Sequence, residues 1–169
     1  RERGGSGGVG SVGRIGRRLT GRNRGMRTGP GTNTHVGGDT RGVVVIDPGP
    51  ADEKHIARIT RLGKTTPIIR ILVTHTHPDH SPGVARLKQR TGAKSIGFDK
   101  RDGFTPNTKA GDGYKVRGPG FTLRAIHTPG HASNHQSWFL EAENLLFAGD
   151  PVLIGSTVVL SPPACEMTR

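Results

Sequence analysis

Apolar residues follow two alternating patterns along the chain from residue 32 onward. Short runs rich in β-branched residues and bounded by Gly, Pro or Asn predict buried strands. Segments in which apolar residues recur every three or four positions predict helices. The predicted strands are 43–46, 68–74, 94–98, 121–127, 136–140 and 145–148, and the predicted helices are 51–62 and 81–90. This alternation of strands and helices predicts the α/β class.

Local residue choices indicate where the predicted helices begin and end. Ile56 and Ile59 share one face of the first helix, and Gly63 ends it. Ser81 and Pro82 resemble an N-cap and first-turn pair that opens the second helix. The histidine-rich segment before Ser81 is therefore expected in a loop between a strand and a helix.

Positive charge is concentrated at the amino-terminal end. The chain of 169 residues has a net charge of +12, and residues 1–29 hold eight arginines and one acid, which gives +7 for that segment. The same segment contains ten glycines and few large apolar residues, so its burial cannot offset the entropy of ordering it. We predict a disordered Gly/Arg-rich tail over 1–29 and one domain over 30–169. An arm that contacts the phosphates of RNA is the alternative interpretation of the tail.

Cysteine content and hydropathy restrict the cellular environment. The single cysteine, Cys165, cannot form an internal disulfide, which favours a reducing compartment. No apolar run approaches the roughly 20 residues that span a bilayer. We therefore predict a cytoplasmic protein without membrane partners. A mitochondrial location is the alternative, because the segment 1–29 is rich in arginine and poor in acids.

Four residues that can bind metals follow the predicted strand 68–74 within six positions. They are His75, His77, Asp79 and His80. In an extended segment residues i and i+2 project to the same side, so His75 and His77 can bind one metal while Asp79 and His80 turn toward a neighbouring site. A surface histidine cluster without function would not normally lie between an apolar strand and a helix. The spacing therefore predicts two adjacent metals.

Two later turns add potential ligands at strand ends. His131 follows the predicted strand 121–127 through the turn Thr-Pro-Gly, and Asp150 follows the strand 145–148 directly after Gly149. The carboxyl ends of strands are where open α/β sheets place their sites. His131 is thus expected to provide a third nitrogen for the first metal, and Asp150 a carboxylate that bridges both.

Four strings, in this order, resemble the successive motifs of the metallo-β-lactamase-fold superfamily. They are IDPGP (46–50), THTHPDHSPG (74–83), HTPGHASNH (127–135) and FAGD (147–150). The strings GTNT (31–34) and GSTVV (155–159) add a similarity to β-lactamase-like protein 2 and the bacterial β-lactamase-like hydrolases. The resemblance implies an αββα sandwich with two zinc ions.

The resemblance also implies a role for each site residue. The implied ligands are His75, His77 and His131 for the first zinc, Asp79 and His80 for the second, and Asp150 as the bridge. Asp47 is implied as a carboxylate that orients the loop and does not bind metal. The family's last histidine is expected after residue 163, whereas the sequence has no histidine beyond His135. We therefore expect a partial domain in which the second half of the sandwich is incomplete and the second site lacks one ligand.

Metal-activated water makes hydrolysis the natural reaction of such a site. We predict a zinc-dependent hydrolase of small ester-like, thioester-like, lactone-like or amide-like substrates, with Asp79 as the catalytic residue that orients the water. A single-strand endoribonuclease of the same fold and a truncated, inactive metal-binding fragment are the two alternatives. His35 and His127 are interpreted as structural residues, and His55 as a solvated residue on a helix.

Overall fold

The computed structural model describes residues 9–12, 16–21 and 31–150, which form two β-sheets and two α-helices. The strands of the first sheet are β1 (Val9–Val12), β2 (Gly16–Thr20), β3 (Asn33–Asp39), β4 (Gly42–Ile46), β5 (Ile68–Leu72), β6 (Lys94–Gly97) and β7 (Thr108–Lys109). Those of the second sheet are β8 (Lys115–Gly118), β9 (Phe121–His127), β10 (Gln136–Leu140) and β11 (Leu145–Phe147). The helices are α1 (Glu53–Leu62) and α2 (Gly83–Thr91), and a 3₁₀ turn covers Glu141–Glu143.

The strand order of the first sheet brings the loops after β4 and β5 together. Strands β1 to β7 lie side by side in chain order, antiparallel from β1 to β4 and parallel from β4 to β7. Helices α1 and α2 make the crossovers between the parallel strands β4, β5 and β6. Parallel strands end at the same edge of a sheet, so the segments that follow β4 and β5 meet there. The second sheet is antiparallel, in the order β11-β10-β9-β8.

Strand β4 of the first sheet is buried on both faces. Its consecutive residues point to opposite sides of the sheet, and each side is covered by other core residues. Val45 packs with Ile56, Ile59 and other core residues beneath the helices. Val44 packs with Trp138 and other residues between the two sheets. The layers are thus helices, first sheet and second sheet. The predicted α/β class is confirmed, and the continuous apolar run 43–46 reflects a strand covered on both sides.

The two helices lie close to their predicted ranges, but one predicted cap is wrong. Helix α1 begins after Asp52, which accepts the His55 N–H at 2.6 Å, and ends at Gly63 as predicted. At α2 the N-cap position belongs to Pro82 rather than Ser81. The Ser81 hydroxyl instead donates to the Thr76 carbonyl at 3.0 Å, which fastens the helix start to the histidine-rich loop.

Two strands lie inside the segment 1–29 that the sequence predicts to be disordered. Strand β2 pairs with β3 along its length, and Leu19 is only 1% exposed in the core beneath the helices. Pairing with β3 supplies hydrogen bonds and apolar contacts that the tail composition does not indicate, so the disorder prediction is wrong for β1 and β2. For 1–8, 13–15 and 22–29 the prediction falls outside the described residues.

In the described ranges, no helix is long and apolar enough to cross a membrane.

Truncation of Ile71 to alanine is expected to destabilise the fold by about 2–5 kcal/mol. Ile71 lies on β5 in the core beneath the helices and is 0% exposed, so the lost methyl groups leave a cavity. Urea denaturation measures the difference. Leu146→Ala is the control, because Leu146 is 48% exposed and its truncation should change the free energy of unfolding by less than about 0.5 kcal/mol. Equal losses would contradict this placement of the core.

Candidate metal centre

Four segments that follow strands converge at one edge of the first sheet. The loop 73–80 follows β5, and Asp47 is the first residue after β4. The second sheet contributes the turn after β9, which carries His131, and the turn after β11, which carries Asp150. Residues that are far apart in the sequence thus line one site.

Three imidazoles form the first potential metal site. Nitrogen atoms of His75, His77 and His131 lie within 4.8 Å of one another. Nε2 of His75 is 3.1 Å from Nδ1 of His77, and the ring of His131 lies edge-on to both. His75 is buried and His77 is partly exposed, so the group opens toward solvent on one side. A set of three imidazole nitrogens suits a tetrahedral zinc site that keeps one position open.

A second group shares His75 with the first. Ligand atoms of His75, His80 and Asp150 lie within 4.8 Å of one another. Oδ2 of Asp150 is 3.3 Å from Nε2 of His80 and 3.8 Å from Nε2 of His131, so this carboxylate lies between the two groups. Asp79 belongs to neither group of three, although its Oδ2 is 3.5 Å from Nε2 of His80.

Asp47 fixes the orientation of two of these imidazoles. Its carboxylate accepts the Thr74 N–H at 2.8 Å, the Thr74 hydroxyl at 2.7 Å and Nδ1–H of His80 at 3.0 Å. Because the Thr74 hydroxyl donates to Asp47, it must accept from Nδ1–H of His75, 3.1 Å away. Both imidazoles are therefore held at Nδ1, and both Nε2 atoms face the site, as in the carboxylate–histidine pairs that support metal ligands.

The electrostatics of the site favour a cation. Burial opposes protonation of His80, but Asp47, Asp150 and Asp79 outweigh it and raise the pKa of His80 well above its ordinary value. Burial and the neighbouring imidazoles lower the pKa of His75, so that its lone pair is free to bind a metal. Three carboxylates around one imidazole leave an excess of negative charge that a divalent cation would compensate. The residues present therefore fit a metal site.

Comparison with known protein families agrees with this geometry. The sequence profile of the metallo-β-lactamase superfamily matches residues 27–167. The chain belongs to the metallo-β-lactamase superfamily. The predicted resemblance to this superfamily is thereby confirmed. As a member, the chain belongs to a family of metal-dependent hydrolases.

Similar proteins from fungi and bacteria support the assignment to this superfamily. Lactamase-like protein aptB of Emericella nidulans is 37% identical over 139 residues, which cover 80% of this chain and 45% of that protein. The atrochrysone carboxyl ACP thioesterase of Aspergillus fumigatus is 36% identical over 125 residues, which cover 73% of this chain and 30% of that protein. The crystal structure of ETHE1 from Myxococcus xanthus has a TM-score of 0.67 at 26% identity, over 83% of this chain and 59% of that one. The chain spans less than half the length of these two fungal relatives.

The superfamily loop between the first two histidines is held by residues that the sequence analysis did not single out. The Thr76 hydroxyl donates to Oδ2 of Asp102 at 2.6 Å and accepts from Nδ2 of Asn134 at 2.9 Å. Asn134 also donates to Asp99 at 3.2 Å. Asn134 lies within the HTPGHASNH string, which was the only sequence signal for it. These bonds tie the loop of His75 to the turn that carries His131.

The three remaining histidines predicted to lie outside the metal site have different environments. His127 stacks on Phe98 with ring centroids 4.2 Å apart, and His35 packs against Phe147 at 5.0 Å, so both have structural contacts as predicted. The prediction of a solvated His55 is wrong. Its side chain is buried, with Nε2 2.8 Å from the Thr34 hydroxyl on β3. Strand β3 was absent from the predicted elements, so the sequence analysis provided no surface against which this side of α1 could pack.

Proposed function

We propose that this chain is the metal-binding part of a thioester hydrolase that uses two zinc ions. The observation that carries the proposal is the pair of potential metal sites that share His75, with the Asp150 carboxylate between them. The thioester class is supported by relatives named as ACP thioesterases, at 36% identity in the case of Aspergillus fumigatus.

The proposed ligand sets combine the two groups with Asp79, whose Oδ2 lies 3.5 Å from Nε2 of His80. His75, His77 and His131 would hold the first metal, Asp79 and His80 the second, and Asp150 would bridge them. The sharing of His75 between the two groups reflects its central position, with its ring within 5.0 Å of those of four other histidines. Zinc is favoured because the first set consists of three imidazole nitrogens, and the second combines one imidazole with carboxylates that zinc also binds.

Hydrolysis would depend on the metal for its nucleophile and on Asp79 for its geometry. A zinc ion held by these residues would lower the pKa of a bound water molecule to about 7, so that hydroxide would be available near neutral pH. Burial opposes ionisation of Asp79, but the hydrogen bond to His80 and the charges of His80 and His77 together outweigh it and lower the pKa of Asp79. The ionised carboxylate, whose side chain is 25% exposed, can accept a hydrogen bond from the attacking water and keep its lone pair directed at the substrate.

Metal removal tests the proposal directly. The chain is depleted with dipicolinate and assayed on short acyl-CoA thioesters, with free thiol as the readout, before and after zinc is restored. We expect turnover in the zinc-loaded chain and a fall to the uncatalysed rate in the depleted chain, because the water is no longer activated. Matching oxygen esters and a single-stranded RNA serve as competing substrates. Thioester turnover that survives depletion, or cleavage of RNA alone, would contradict the proposal.

A further inference from the structure

One buried histidine of the site belongs to neither potential metal group. His135 is 0% exposed, and its ring lies 5.0 Å from that of His75. It is nevertheless absent from both groups of ligand atoms found in the described residues. Its side chain makes two hydrogen bonds, one at each ring nitrogen. These bonds determine which nitrogen carries the proton.

The backbone amide of Asp150 fixes the tautomer of His135. This N–H lies 3.2 Å from Nε2 of His135, and an amide N–H can only donate, so Nε2 must be the acceptor. The neutral imidazole then carries its proton on Nδ1, which lies 2.8 Å from the Thr128 hydroxyl and donates to it. The Nε2 lone pair is occupied by the amide and is not directed at a metal.

The same direction of donation continues through two hydroxyl groups. The Ser137 hydroxyl donates to the Ala148 carbonyl at 3.0 Å, so Ser137 Oγ must accept from the Thr128 hydroxyl, 3.2 Å away. Each hydroxyl thus donates once and accepts once. The chain of bonds begins at the Asp150 amide and ends at the Ala148 carbonyl, on the two sides of Gly149. It closes a ring of hydrogen bonds around the turn that carries the bridging carboxylate.

The backbone at Gly149 fits closely against this ring of hydrogen bonds. Gly149 has φ +70, a left-handed conformation that glycine adopts without steric cost. A Cβ atom at this position would lie 2.5 Å from Nε2 of His135 and 3.0 Å from the side chain of Thr74. His135 therefore contacts the turn directly, and there is no room between them for another group.

We propose that His135, Thr128 and Ser137 form a hydrogen-bond relay that positions Asp150 between the two metal sites, with His135 as a positioning residue and not a metal ligand. This inference rests on the proposed function insofar as Asp150 is taken as the bridging ligand. Loss of the relay would release the turn at Gly149 and let the carboxylate move out of reach of His80 and His131. Partners that orient metal ligands typically contribute about 10- to 100-fold to metal affinity.

Two-bond ¹⁵N–¹H correlation spectra of the imidazoles test the tautomer in the 169-residue chain. We expect the His135 signals, assigned by their loss in His135→Gln, to show a proton on Nδ1 both without and with zinc. A proton on Nε2, or a large change of the Nε2 shift when zinc is added, would overturn the proposal and make His135 a ligand. The measurement on the zinc-free chain is independent of hydrolysis and of metal binding.

A matched pair of variants then tests positioning by metal affinity. The Gln side chain can place an acceptor near Nε2, whereas Asn can only reach the position of Nδ1. We expect His135→Asn to weaken the second zinc site about 10- to 100-fold in chelator competition, with His135→Gln retaining most of the affinity. The absorption spectrum of the cobalt-substituted chain should change most for the second site, which keeps only Asp79 and His80 when Asp150 moves away, and less for the first, which keeps three imidazoles. Equal loss in both variants would overturn the proposal.

The third test disrupts the relay at Thr128, a residue that is not a proposed metal ligand. Thr128→Val removes the hydroxyl with little change of volume, and Thr122→Val on β9 is the control with the same chemical change. Weaker binding of the second zinc in Thr128→Val but not in Thr122→Val is expected. Unchanged affinity in both would overturn the relay. A wild-type chain that binds zinc but hydrolyses no thioester would contradict the proposed function alone, since the tautomer and the affinities would still decide the relay.

Discussion

Replacement of Asp79 by asparagine is expected to lower thioester turnover by about 10²- to 10⁴-fold while the first metal stays bound. Asn keeps the size of the side chain but loses the negative charge that accepts a hydrogen bond from the attacking water and orients it. Asp79 is not in the group formed by His75, His77 and His131, so that group keeps its three nitrogens. Stopped assays of thiol release measure turnover, and elemental analysis measures the metal content of the same samples.

A surface carboxylate provides the control for Asp79→Asn. Asp39 pairs with Arg41 on the exposed turn between β3 and β4, and its side chain is remote in sequence and strand position from the metal loops. Asp39→Asn should leave turnover within about twofold of wild type, because exposed ion pairs contribute little. Wild-type rates in Asp79→Asn would show that this carboxylate has a structural role only. Loss of both metals in Asp79→Asn would show that it supports the whole centre.

The sequence identifies most of the candidate site because the proposed ligands are concentrated in short strings that follow apolar strands. Four of the six predicted residues fall within 75–80, and the strand before them was recognisable from its β-branched residues. Order along the chain then gave meaning to His131 and Asp150, which are individually weak signals. The structure brings five of the six into two groups of potential ligand atoms, while Asp79 lies outside both, with its Oδ2 3.5 Å from Nε2 of His80.

Contacts between distant segments account for what the sequence did not indicate. Strand β3 contains glycines and a histidine and lacks a clear apolar run, so it becomes a strand through pairing with β2 and β4 on its two sides. The wrong predictions for His55 and for the tail both follow from this missing strand. Asp102 and His135 were likewise hidden, since their importance depends on hydrogen bonds to Thr76 and to Asp150 that no local pattern reveals.

Truncation of His77 to alanine is expected to lower the affinity of the first site for zinc by about 100-fold. Structural zinc sites with four ligands bind with about 10–16 kcal/mol, so one ligand contributes on the order of 3 kcal/mol, or about 100-fold in affinity. His77 is partly exposed, so its removal leaves no sealed cavity and the fold should persist. Chelator competition measures the affinity, and circular dichroism of the same samples reports whether the fold is retained.

His127→Ala is the matched control for this change. His127 is also partly buried and precedes the turn of His131, but its Nε2 lies 3.0 Å from the Ser133 carbonyl and its ring stacks on Phe98. Its loss should reduce stability without a comparable loss of zinc. Equal zinc affinity in His77→Ala and wild type would show that three imidazoles do not hold the first metal. Because Asp150 and the second group would remain intact in His77→Ala, such a result would place the tighter metal at His80, where three carboxylates converge.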